Sequence, residues 1–266
     1  MKTRAFTLVL LASLPAVSYA TPVIRSSTAD NLNLAAAWVG TPAAVPTTAN
    51  TATWDASSTL ANTMGAANTW GALDTSAASG AVSISGANNL LLDHTTDAST
   101  VFNTGANNFT WGAAAAGGNF NINGVPTAAS IVTGATFAGS GTVTLSSTGT
   151  KNWSSNATTN GVTNVTFTGT LALRGAAIPA IGNLPGNWLA FGGGGGAASD
   201  SGATTQTGSF ALDTGDSTSC GSFILTHGWS GQALKLNSLQ GTGSIRTDWG
   251  LSAGTQTRGI ELDQAG

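Results

Sequence analysis

The sequence predicts an all-β chain, and three observations carry that prediction. Charged residues make up 7% of the 266, against about 25% in an ordinary soluble domain. Glutamate occurs once, at Glu261. Helices are usually clothed in Glu, Lys, Arg and Leu, which lose little rotamer freedom there, and here Gly, Ala, Ser, Thr and Asn fill that space. Short apolar runs, several with a period of two, recur along the chain between glycines and small polar residues, as strands and turns do. Finally, 41% hydrophobic residues and eight tryptophans are too many for a disordered polar tract.

Met1–Ala20 has the three parts of a signal peptide. Lys2 and Arg4 are its basic start, Phe6–Val17 its apolar stretch, and Ser18-Tyr19-Ala20 sets small residues at −3 and −1. Cleavage is expected between Ala20 and Thr21, so the mature chain is expected to be exported. Losing Lys2 and Arg4, and no acid, takes the net charge from −3 to −5. That excludes charge-driven nucleic-acid binding, which needs a basic footprint. Beyond the leader no apolar run reaches the length of a spanning helix. The single cysteine, Cys220, cannot form an internal disulfide, and it reads as a small buried hydrophobe.

Residues 21–80 differ in texture from the rest of the mature chain and read as an N-terminal cap region. They hold Trp38, Trp54 and Trp70, with Pro42 and Pro46 breaking regular structure. Leu32–Trp38 reads as a single helical turn. Residues 81–266 read as repeating strands. Val82-Ser83-Ile84, Leu90–Leu92, Val101-Phe102 and Phe109–Trp111 come first, then the strict alternation Asn119–Asn123. Ile131-Val132, Phe137, Val143–Leu145, Val165–Phe167 and Leu171–Leu173 come next. A glycine-rich loop at 192–202 interrupts the series. The last well-formed stretch, Ser222–Gly250, reads as strand, turn, strand, turn, strand. Within it Leu234-Lys235-Leu236-Asn237 alternates like a half-buried strand.

The spacing of these runs fits a β-sandwich and also a solenoid with two or three strands per coil. Two phrases favour the solenoid. Ala87-Asn88-Asn89 recurs nineteen residues later as Ala106-Asn107-Asn108, which implies asparagines stacked one coil apart. Gly139-Ser140-Gly141-Thr142-Val143 recurs as Gly241-Thr242-Gly243-Ser244-Ile245.

Three longer phrases carry a family resemblance. They are Trp38-x-Gly40-x-Pro42 with Ala52-x-Trp54-Asp55, then Thr168–Arg174 with Gly182–Leu189, and Phe223–Leu236 through Arg258–Gly266. On these the chain resembles the N-terminal region of large exported bacterial proteins built from autotransporter-associated β-strand repeats. The resemblance implies a right-handed parallel β-helix with an atypical N-terminal cap. It implies display at the cell surface or outer membrane, a structural or adhesive role, cell-surface or matrix glycans as partners, and no enzyme activity. The family's repeat is approached here only at Gly141–Ser146 and Asn152-Trp153. Ile260–Asp263 alternates like one more strand just before the sequence ends. The chain is therefore expected to be the front of a longer protein and to self-associate or fray at that end.

No catalytic, cofactor or metal residue is assigned. Asp93, His94, His227 and Ser230 do not form a triad motif, since Gln232 stands where the G-x-S-x-G elbow needs glycine. Asp213 and Asp216 flank a turn that offers oxygens to calcium, but the reading preferred for them is a solvated turn. The sequons at Asn108, Asn152, Asn156 and Asn164 are the number a Thr-rich chain produces by coincidence. The runner-up function is a carbohydrate-binding or polysaccharide-cleaving β-helix, a lyase or glycoside hydrolase. Tryptophan exposure separates the two readings. Open faces along a groove favour sugar, whereas buried rings favour a scaffold.

Overall fold

A computed structural model describes residues 21–262, apart from 94–99, 113–117, 124–125, 128–130, 133–134, 150, 154–161, 176–187, 193–203, 226–232 and 247–258. Among the described residues the chain is all-β, with one 3-10 turn at Ala35–Ala37. After β1 (Thr21–Ile24), strands come in threes. The first circuit is β2 (Asn50–Thr53), β3 (Ala61–Thr63) and β4 (Asn68–Trp70). The second is β5 (Ala72–Asp74), β6 (Val82–Ser85) and β7 (Leu90–Asp93), and the third is β8 (Val101–Asn103), β9 (Phe109–Trp111) and β10 (Phe120–Asn123). A hairpin, β11 (Pro126–Thr127) and β12 (Ile131–Val132), precedes the fourth circuit of β13 (Ala135–Ala138), β14 (Thr142–Leu145) and β15 (Lys151–Trp153). The fifth is β16 (Val162–Val165), β17 (Thr170–Leu173) and β18 (Trp188–Phe191), and the sixth is β19 (Thr205–Gln206), β20 (Phe210–Asp213) and β21 (Ser222–Leu225). β22 (Ala233–Gln240), β23 (Ser244–Arg246) and β24 (Gly259–Leu262) complete the series.

Each circuit lays one strand on each of three sheets. The first sheet runs β1-β2-β5-β8-β13-β16-β19, and the second β3-β6-β9-β14-β17-β20-β22-β24. The third comes in two parts, β4-β7-β10 and β15-β18-β21-β23, with β15 lying against β10. Among the described residues every ladder in the three sheets is parallel; the β11–β12 hairpin pairs antiparallel, as do the isolated bridges Arg25–Trp38 and Gly215–Cys220. A sandwich of antiparallel sheets, the alternative left open by strand spacing, does not describe this pairing. The parallel sheets are compatible with a β-helix or a related solenoid-like parallel fold.

The alternation seen in the sequence sets which side chains face inward. In the first sheet Ala52, Leu73, Phe102, Phe137 and Val165 are successive partners, and all are fully buried. In the second, Val82, Phe109, Val143, Leu171 and Leu212 form one such column. Between them lie outward ladders of short polar residues, such as Ser83, Thr110 and Thr144. Stacking identical or similar rings follows from this register. Phe102 lies over its partner Phe137 at 5.5 Å and 17°, and Phe137 also stacks on Phe167, just past the end of β16, at 4.2 Å and 23°. A buried side chain of this size contributes roughly 1.5–3 kcal/mol.

The two sequence phrases have different outcomes. Partners in the second sheet are 22 residues apart at Ala61 and Ser83, 27 at Ile84 and Trp111, 34 at Trp111 and Leu145, and 41 at Leu171 and Leu212. Nineteen residues is therefore not a coil, and Asn89 and Asn108 are not equivalent. Asn89 precedes β7 in the third sheet, and Asn108 precedes β9 in the second. Each still bridges circuits, through its own bond. The Asn89 Oδ1 accepts from the backbone N–H of Asn119 at 2.9 Å, and the Asn108 Oδ1 from that of Thr142 at 2.8 Å.

The glycine phrase is a corner signature. Gly139 and Gly241 take φ of 130° and 108°, a region side chains avoid. A Cβ at Gly141 would lie 2.1 Å from the Asn107 carbonyl oxygen, and one at Gly243 would lie 2.0 Å from that of Gly221. The phrase turns the chain from first to second sheet in one place and from second to third in the other. It marks a tight corner, not a fixed period.

Candidate functional site

The tryptophans carry the distinction between scaffold and sugar binder, and five of the six described ones are buried. Trp38, Trp54, Trp70, Trp111 and Trp153 are buried, whereas Trp188 is half-buried. Trp38, Trp54 and Trp70 pack together, with Trp38 set edge-on to the other two at 5.7 and 5.6 Å. Trp153 packs among Phe102, Phe120 and Phe137. Trp229 and Trp249 lie outside the described residues.

Asp213 and Asp216 are committed to the corner that comes after β20. The Asp213 carboxylate is ion-paired with Arg174, and its Oδ1 accepts from Gly215 N–H at 2.9 Å. Burial works to raise its pKa, but the bonds from Arg174, Gly215 and Gln240 outweigh that and hold it below the usual carboxylate range. The Asp216 Oδ1 accepts from the hydroxyl of Thr218 and from the N–H groups of Thr218 and Ser219 at 2.7–2.9 Å. Those bonds lower its pKa. Cys220, fully buried, bridges back to Gly215 in the same corner, and burial pushes its thiol pKa up. Both carboxylates are bonded within this corner, Asp216 at its exposed side and Asp213 part-buried beside Arg174. Among the described residues no three His, Cys, Asp or Glu side chains gather as a metal-binding set.

Asp93 ends β7, while His94, His227 and Ser230 lie outside the described residues, so no triad geometry can be built from them. Thr21 is the first residue of β1, paired with Asn50, and Ala20 lies outside the described residues. A chain beginning at Thr21 keeps every described strand. No helix among the described residues is long and apolar enough to cross a membrane.

Two cations escaped sequence reasoning. Lys151 is fully buried, and its Nζ donates to the Ser147 carbonyl oxygen. Burial brings its pKa down to about 7. It lies two residues before the buried Trp153, a spacing that puts both on one face of a strand, and that signal was available. Arg25 is also fully buried, and its donors meet side-chain and backbone oxygens from Ser26 to Asn62. Burial lowers its pKa, while the charge of Asp30 opposes the shift. Comparison with protein-family models, curated proteins and solved structures finds no match to this chain.

Proposed function

We propose that this chain is an exported, non-enzymatic passenger or surface repeat region with a structural or adhesive role, displayed at the surface of a bacterium. The burial of Trp38, Trp54, Trp70, Trp111 and Trp153 carries this reading. The faces that would stack on sugar rings fill the interior instead. In this reading the three parallel sheets form a right-handed β-helix. Parallel strand–crossover–strand connections take that hand in about 98% of cases, and the resemblance to autotransporter-associated repeats points the same way. Residues 21–80 form its N-terminal cap and entry region, in which β2–β5 already join the sheets and residues 25–39 cross the end.

The same reading includes self-association through the far end. Leu239 and Leu262 are 40% and 49% exposed, although their register partners Leu212 and Leu236 are fully buried. Cell-surface or matrix glycans remain partners in this proposal, met by outward polar ladders and not by aromatic grooves.

The test expresses the whole sequence in a bacterium and sequences the N-terminus of surface and secreted material. Thr21 as first residue, with adhesion to matrix-coated plates and no cleavage of polysaccharide, is the expected result. Intact Met1 confined to the cytoplasm would end the export reading. Saturable polysaccharide cleavage would replace the scaffold reading with the enzymatic one.

A further inference from the structure

Arg25 stands where the core of the stack runs out. The second sheet's inward column reads Leu173, Leu145, Trp111, Ile84 and then Asn62. Asn62 is thus a polar residue in an apolar series, at the first circuit. Its Nδ2 donates to the carbonyl oxygens of Thr59, Leu60 and Ser83, and its Oδ1 accepts from Arg25 Nε at 2.7 Å. The rest of the guanidinium serves the segment that crosses this end. Nη1 donates to the carbonyl oxygens of Ala37 at 2.6 Å and Ser26 at 3.2 Å, and Nη2 to those of Thr28 at 2.9 Å and Asp30 at 3.1 Å. One planar fork therefore joins the first circuit to four points on one strap. Lysine cannot reproduce that geometry, because its donors radiate from a single nitrogen.

The strap covers strand edges as well as the core. Leu32 N–H donates to Thr63 O on β3, and Thr59 N–H to Ser26 O. Ser26 and Val39 N–H groups pair with Ala37 and Ile24, closing the outer side of the chain just after β1. β1 itself carries Pro22, which has no N–H to offer a neighbour. The strap buries its own Leu32, Ala37 and Trp38 against the end of the stack, where Trp38 meets Trp54 and Trp70. An uncovered parallel edge over an apolar core is a template for another chain.

We infer that residues 26–39 form an end guard locked by Arg25, which keeps the first circuit from pairing with a second copy of the protein. This rests on the stacked-scaffold reading above, but it concerns only the N-terminal end. Without the lock, carbonyls of Ser26, Thr28, Asp30 and Ala37 lose a shared donor, the strap lifts, and β3 becomes available.

The experiment compares the full chain with Arg25→Met and Arg25→Lys. Amide hydrogen exchange, tryptophan emission, far-ultraviolet circular dichroism and light scattering are measured on each. For Arg25→Met, exchange of residues 26–38 and 61–63 should rise at least tenfold. Tryptophan emission should shift to the red, and scattering should rise above that of the unaltered chain, with the β spectrum kept. Arg25→Lys should fall between the two. If Arg25→Met loses the β spectrum, Arg25→Lys decides. Increased exchange confined to the strap upholds the lock, and unchanged exchange there overturns it. A folded Arg25→Met chain with a protected strap and unchanged scattering overturns it as well. Loss of the scaffold reading itself would show differently, as a spectrum without β structure in the unaltered chain.

Discussion

Lys151 shares an inward column with Leu189, Phe223 and Ile245, and its amine is one group through which pH enters the fold. Its ordinary pKa is 10.5, and burial lowers it to about 7. Between those values the unfolded chain holds the proton more tightly than the native protein does. Native stability therefore rises with pH across that window. Below about pH 7 the amine is charged in both states, and the full desolvation penalty is present. At about 1.4 kcal/mol per unit, that penalty is of the order of 5 kcal/mol. Lys151→Met removes it and also leaves the Ser147 carbonyl without this donor, which costs about 1 kcal/mol. Urea unfolding at pH 6 should show the variant more stable by roughly 2–4 kcal/mol, with the advantage shrinking toward zero by pH 10.5. An advantage of equal size at pH 6 and pH 10 would mean that Lys151 is not the titrating group.

Among the elements, β22 shows how a circuit bends without a matching strand. Its first half pairs with β24, and its second half with β20. Where its first half passes β19, the Gln206 side chain stands in for strand pairing. Its Nε2 donates to Lys235 O at 2.8 Å, and its Oε1 accepts from Lys235 N–H at 2.9 Å. Gln206→Leu removes both bonds at a partly exposed site, so about 1–2 kcal/mol should be lost. Faster hydrogen exchange at Lys235, with β20 and β21 unchanged, is the accompanying sign. Equal loss of protection throughout would show that the clamp is not local. Such pairing was invisible in the sequence, since one glutamine among many polar residues has no period. The strands themselves were legible because burial on one face forces alternation, as in Val82-Ser83-Ile84 and Leu234-Lys235-Leu236. Which strand meets which was not legible, because circuits differ in length and register depends on partners far along the chain. The repeated asparagines misled for that reason. Asn89 and Asn108 are alike in their local turn and lie at different corners. Arg25 was hidden differently, since its partners are mostly backbone oxygens that no residue pattern reveals.

At the scale of the whole molecule, large exposed apolar side chains gather at the two ends among the described residues. Leu34 and Val39 belong to the strap, while Leu239 and Leu262 lie at the opposite end. The flanks between carry small uncharged residues, consistent with an object built to extend in one direction. Circuits of 22 and of 41 residues each add the same strand spacing of about 4.8 Å, so the surplus must leave the sheets at the corners. The corners do not share it. From first to second sheet the connections hold three to seven residues, whereas those on either side of the third sheet reach fourteen and thirteen. Ten Gly/Ser residues inserted between β11 and β12, beside the third sheet, should shift the melting temperature by no more than a few degrees. Loop closure costs only about 0.6 kcal/mol per doubling of length. The same insert at Ser140, between Gly139 and Gly141, should prevent folding, and equal tolerance at both places would contradict the packing of that corner. The protein thus has a spine of fixed gauge and two rims along which new peptide can be spliced. Such a chain can acquire fresh cargo by insertion, in the way a mast accepts new flags, while its height and stiffness stay the same.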